Sequence, residues 1–213
     1  MKIIRIMLGV ALLAGASATF SSCQSEEQRL AEKLQGVWAG TPETFTNDQT
    51  ISATITDNYI FSPDTVATTR GNLPSGVVTV ESAISMNTSI IPQGDLVEPL
   101  SLTAAALSTI SGTWTVTDDD EISIALDPKT LSVAVDPDAI KANGNIIGTN
   151  GGTTTVDSLK PDVAANLTMG LQRSLAIRYA KLRQMDDVKI KGNLMKFEIG
   201  ETDYVLTRES QKL

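Results

Sequence analysis

Histidine is absent from this 213-residue chain, and cysteine occurs once. Those two facts decide most of the available chemistry. Without His there is no imidazole base for a Ser or Cys nucleophile and no imidazole metal ligand. A single thiol cannot build a disulfide framework or a thiolate cluster. Carboxylates remain, with 25 Asp and Glu against 17 Lys and Arg and a net charge of −8. Paired carboxylates could hydrolyse glycosides. A sugar groove also wants aromatic platforms, and aromatics make up only 4% of the chain. Asp118-Asp119-Asp120 could face a cation, but no Asp-x-Asp-x-Asn-Gly spacing or distal Glu completes a calcium loop. Asp is equally at home at a turn tip. The Gly148–Gly152 cluster lacks the Lys and the spacing of a phosphate loop. No Ser-x-x-Lys pair or Gly-x-Ser-x-Gly elbow occurs. The reading therefore assigns no catalytic, cofactor-binding or metal-binding residue. The negative balance also argues against a nucleic-acid partner.

The one thiol stands where its neighbours give it a role. Lys2 and Arg5 precede an uncharged run, Ile6 to Ala16, too short to span a bilayer stably. Ser21 and Ser22 then lead into Cys23. Phe20-Ser21-Ser22-Cys23 resembles a bacterial lipobox, with Phe20 where Leu is usual. That resemblance implies cleavage before Cys23 and lipidation of its thiol. Each buried methylene contributes ~0.8 kcal/mol, so two or three acyl chains anchor a protein essentially permanently. Gln24-Ser25-Glu26-Glu27 resembles the short acidic export signal of Bacteroidetes surface lipoproteins. It implies a lipid-anchored outer-membrane protein at the cell surface, with the periplasmic face as the alternative. The membrane is then a partner through the lipid on Cys23.

The positioning elements follow from periodicity. Leu30 and Leu34, spaced i,i+4 among Glu, Arg and Lys, predict a short helix over 26–35, and Ser25 with Gln28 fits a capping box. From Gly36 to about 136 the pattern is β. Strands are expected at 50–61 with a break at Thr56-Asp57-Asn58, at 64–69, 76–84, 109–117, 121–126 and around Leu131–Val135. Asp118-Asp119-Asp120 and Asp127-Pro128-Lys129 read as tight turns between antiparallel neighbours. Leu100–Leu107 fits a strand or a helical turn. Residues 143–160 read as a long Asn/Gly/Thr-rich loop. Val163, Leu167, Leu171, Leu175, Tyr179 and Leu182 predict one long helix near 161–184 with a core-facing stripe. Strands at 188–191, 194–199 and 204–208 close the chain, joined by Gly192-Asn193 and Gly200-Glu201.

This is a mainly β chain, an antiparallel meander whose edges are best removed by closing into a barrel. A short helix, then Gly36-Val37-Trp38, and finally Tyr204-Val-Leu-Thr-Arg208 resemble the lipocalin-like (calycin-type) lipoproteins of Bacteroidetes. The resemblance implies that Gly36, Trp38 and Arg208 form the barrel closure, with Arg208 across the Trp38 ring. It divides the chain into a signal peptide (1–22), a lipidated Cys with tether and short helix (23–35), and one β-domain (36–213). It also implies non-catalytic binding of a small apolar or amphipathic ligand, and the order of the meander sets segments 40–50, 72–76 and 92–100 at the mouth. Adhesion to a protein or glycan as a surface or accessory subunit is the alternative, and a carboxylate-dependent hydrolase the third. A second Gly-x-Trp, Gly112-Thr113-Trp114, leaves open an internal duplication into two small sheets.

Overall fold

The computed structural model describes residues 25–47, 51–63, 73–90, 100–143, 146–147, 153–154 and 160–209. Residues 1–24, with Cys23, lie outside them, as do the expected strand 64–69 and most of the Gly-rich segment.

Helix α1 (Glu26–Leu34) opens with the capping box: Gln28 N–H donates to Ser25 Oγ, and Ser25 N–H to the Gln28 side chain, both at 3.3 Å. Two of the helix's orphan N-terminal donors are so satisfied. Its apolar face, Leu30, Ala31 and Leu34, is buried against β5 and β11. Those strands belong to a barrel of β1 (Gly36–Gly40), β3 (Ile51–Pro63), β4 (Ser75–Ile90), β5 (Leu100–Asp118), β6 (Glu121–Leu126), β11 (Gln184–Lys191), β12 (Leu194–Ile199) and β13 (Thr202–Arg208). Each pairs antiparallel with the next, and β1 pairs with both β3 and β13, closing an eight-stranded ring. Trp38 stands opposite Tyr59 on one side and Arg208 on the other. Helix α2 (Lys160–Tyr179) is the long helix.

Three strands outrun the ring, and their extensions carry extra pieces. β2 (Glu43–Asn47) continues the line of β1 along β3. β7 (Ser132–Val135) and β8 (Lys141–Asn143) continue the line of β6 along β5. The Asp127-Pro128-Lys129 hairpin expected from the sequence is therefore corrected: β6 and β7 are not partners but successive segments on one edge of β5. The physical device is the same at 127–130 and 136–139. Asp127 and Asp136 each accept the N–H two residues on, at 2.9 Å, and Pro at the next position suits a single 3-10 turn. The chain steps sideways and resumes pairing. A small hairpin, β9 (Ile146–Ile147) with β10 (Thr153–Thr154), precedes α2.

Other expectations are decided or corrected by the structure. Leu100–Leu107 is strand, continuous with the rest of β5. Thr56-Asp57-Asn58 does not break β3, because all three residues keep register with Ala83, Ser82 and Glu81 of β4. The long helix ends at Tyr179 rather than near 184. Lys181 and Leu182 N–H bond back to Arg178 and Tyr179 carbonyls, and Gln184 and Met185 are claimed by β6. Trp114 lies in the same barrel as Trp38, so the second Gly-x-Trp does not found a second sheet.

The two barrel ends differ. The α1 end is packed solid by Trp38, Phe61, Trp114, Ile122, Met195 and Phe197, each at most 2% exposed. Trp114 Nε1 donates to Ser62 and Val77 carbonyls, both at 3.1 Å, so its one polar atom is satisfied. The far end is where α2 meets the barrel.

Candidate functional site at the barrel mouth

The three residues singled out for barrel closure meet at the α1 end. Trp38 is fully buried, and its Nε1 donates to Leu34 O at 2.7 Å. The Arg208 guanidinium lies 4.2 Å from the Trp38 ring centroid. Its Nη1 donates to Gln35 O at 2.5 Å and its Nη2 to Lys33 O. Arg208 thus satisfies carbonyls left orphaned at the end of α1 while stacking on the indole. Gly36, at φ +119°, sits under it; a Cβ there would come within 2.8 Å of Nη1. This cluster seals one end and offers no room for a ligand. Residues 73–76 belong to this sealed end, since Ser75 and Gly76 pair with Thr115 and Trp114, so the expected place of segment 72–76 at the mouth is corrected for its described part. Residues 91–99 lie outside the described residues.

The opposite end holds a cavity of about 610 Å³ between the barrel wall and α2. Ile55, Met86, Leu171, Leu175, Leu182 and Ile199 supply its apolar lining. The polar lining begins with a row across three strands. Asp57 faces Ser82, and Ser82 faces Ser108, in the registers of β3–β4 and β4–β5. All three are inward positions and all are buried. An unpartnered polar row would cost several kcal/mol. Here α2 completes it.

Tyr179, the last residue of α2, puts its hydroxyl 2.5 Å from Ser82 Oγ and 3.3 Å from Ser108 Oγ. Ser82 Oγ donates to Asp57 Oδ1 at 2.5 Å. Its single proton is thereby used, so Tyr179 donates to Ser82 and Ser108 donates to Tyr179. The hydroxyls form one polarised chain ending on a carboxylate. Arg178, one residue earlier, reaches Asp57 Oδ2 through Nη2 at 2.7 Å and Glu43 Oε2 through Nη1 at 3.0 Å. Its guanidinium also lies 5.2 Å from the Phe45 ring centroid. The helix is pinned to β2, β3, β4 and β5 by two consecutive side chains.

Every tyrosine of the chain, Tyr59, Tyr179 and Tyr204, lines this mouth. Burial pushes all three phenols above their ordinary value near 10. The Asp57 charge adds to the rise at Tyr59 and Tyr179, and the Glu43 charge at Tyr204. A raised phenol stabilises the fold fully below the unfolded value near 10. That stabilisation is lost as pH rises from there through the higher folded value. Ultraviolet titration should therefore find native tyrosines still protonated where free tyrosine is half ionised. Tyrosinate absorbance should then appear together with loss of fold; early, separate ionisation of the phenols in folded protein would contradict the geometry.

The Asp118–Asp120 run forms the exposed β5–β6 hairpin tip, where Asp119 N–H bonds Asp118 Oδ1 at 2.8 Å. The neighbouring Asp120 charge raises the Asp119 carboxyl. Among the described residues, no group of Cys, Asp and Glu is placed to hold a metal ion. None of the mouth residues was singled out by motif. The usable signal was a polar residue on an inward row: Asp57 between Ile55 and Tyr59, Ser82 between Val80 and Ile84, Ser108 between Ala106 and Ile110. No protein-family model and no curated protein matches the chain, so what the mouth does rests on its own residues, in an eight-stranded antiparallel barrel compatible with a lipocalin-like fold.

Proposed function

We propose that this protein is a lipid-anchored binding protein that takes a small amphipathic molecule in the mouth of its barrel. The observation that carries the reading is the cavity of about 610 Å³, apolar along α2 and the barrel wall, with charged groups at one side. Small-molecule sites have this size and this mix. A hydrolase is disfavoured because Asp57 and Glu43, the carboxylates of the mouth, both spend an oxygen on Arg178. The decisive experiment is native mass spectrometry of the protein purified from its own host. A retained small molecule is expected, and its loss on Ala53→Trp, which would fill the cavity wall. A ligand-free native protein would sink the binding role.

The anchor rests on the sequence around Cys23. In this reading the outer membrane holds the chain by lipid on that thiol, at the cell surface. α1 begins three residues after Cys23 and packs on the sealed end. The mouth would then face away from the bilayer. Cys23→Ala should release the protein from membranes into the soluble fraction; continued membrane retention would refute the anchor.

A further inference from the structure

The charge balance inside the mouth goes one step further and rests on the binding role proposed above. Two carboxylates converge on one guanidinium: Asp57 at 2.7 Å and Glu43 at 3.0 Å from Arg178. The Asp57 side chain is 6% exposed, that of Arg178 23% and that of Glu43 34%. The cluster therefore carries one uncompensated negative charge beside an apolar cavity. Lys181 also lines the mouth, but it is exposed at the rim, where water screens its ammonium. Charge held among low-dielectric walls acts over a longer range than the same charge in water. The raised phenols of all three mouth tyrosines register that field as well as their burial. The aromatic rings add a second attraction for a cation, already used once, since Phe45 lies against Arg178.

We propose that the ligand of the mouth is an amphipathic cation, an amine or guanidine whose apolar body lies along Leu171, Leu175 and Ile199 and whose charge meets Glu43. Glu43 is the member able to receive it. It stands on β2, which among the described residues pairs only with β3, and it is the more exposed of the two carboxylates of the cluster. Arg178 shows the chemistry in place: a guanidinium held by two carboxylates and an aromatic face. A carboxylate ligand would instead meet Asp57 and Glu43 as like charges and could find only Lys181 unopposed at the rim.

The test uses n-decylammonium, 1-decanol and decanoate, each below its micellar concentration, titrated calorimetrically into the full chain carrying Cys23→Ala. Decylammonium should bind at least tenfold more tightly than 1-decanol, with decanoate weakest. Glu43→Gln should abolish the preference for decylammonium over decanol, whereas Glu43→Asp should keep it. Circular dichroism confirms that each variant is folded. Decanol or decanoate binding as tightly as decylammonium would overturn the cation inference and leave the binding role standing. Equal preference in wild type and folded Glu43→Gln would also overturn it. Failure of all three probes to bind would count against the cavity reading itself.

Discussion

Replacing Asp57 with Ala should cost about 2–4 kcal/mol of stability, a fall in Tm of roughly 5–15 °C for a domain of this size. The loss comes from what Asp57 holds rather than from its own volume. Ser82 loses its acceptor and Arg178 loses the nearer of its two carboxylates. A half-buried guanidinium with one remaining, more exposed partner pays part of its desolvation again. The full cost of a buried pair is not expected, because water reaches Arg178. Asp57→Asn keeps an acceptor for Ser82 and should lose about half as much. Glu43→Gln, at a partly exposed pair whose Arg178 keeps Asp57, should lose less than about 1 kcal/mol. The order Ala, then Asn, then the Glu43 variant is the informative result in thermal denaturation. Equal and small effects from all three would mean that α2 is not held to the barrel through this cluster.

Gly76→Ala should be comparably severe, at about 2–4 kcal/mol, through a different mechanism. A Cβ at position 76 would lie 2.0 Å from Ser62 O and 2.7 Å from two carbons of the Trp114 indole. The first contact is with backbone and cannot be relieved by a rotamer change. Trp114 cannot yield easily either, being 1% exposed and bonded through Nε1 to that same Ser62 carbonyl. Overpacking of a filled core therefore has to be taken up by separating β3 from β4. Gly170→Ala in α2 is the control. Its Cβ would meet nothing within 4 Å. There the added helix propensity should stabilise by about 0.5–1 kcal/mol. Denaturant midpoints of the two variants should move in opposite directions; a tolerated Gly76→Ala would show that the β3–β4–Trp114 packing is looser than described.

These two residues mark what could and could not be read from the chain. Alternation and turn residues were enough to give the antiparallel barrel, its short first helix and its long late one. They were not enough where two principles competed. Asp and Asn favour turns, and so Thr56-Asp57-Asn58 looked like the end of a strand. Tertiary pairing with β4 overrode that preference and turned Asp57 inward. Asp127-Pro128 looked like a reversal of direction, yet it only offsets the chain along β5. Leu100–Leu107 fitted a strand or a helical turn equally well, and pairing with β4 decides for the strand. On that strand Ser108 bonds Tyr179, 71 residues further along the chain. No local pattern announces a contact of that separation. The mouth was therefore illegible as a motif, although each of its polar members broke an apolar row.

The seam between β1 and β13 also dictates when the molecule can be finished. Trp38 finds one partner in Tyr59 nearby and the other in Arg208, at the end of the described chain. A chain made from its N-terminus holds β1 half-paired until β13 has been made. Until β13 exists, the carbonyls of Lys33 and Gln35 lack their guanidinium and the ring cannot shut. Pairings this distant in sequence are slow to form, on the scale of milliseconds to seconds in β-rich domains. Closure thus waits for β13, and a chain truncated before Thr202 would be left with two open sheet edges rather than a smaller barrel.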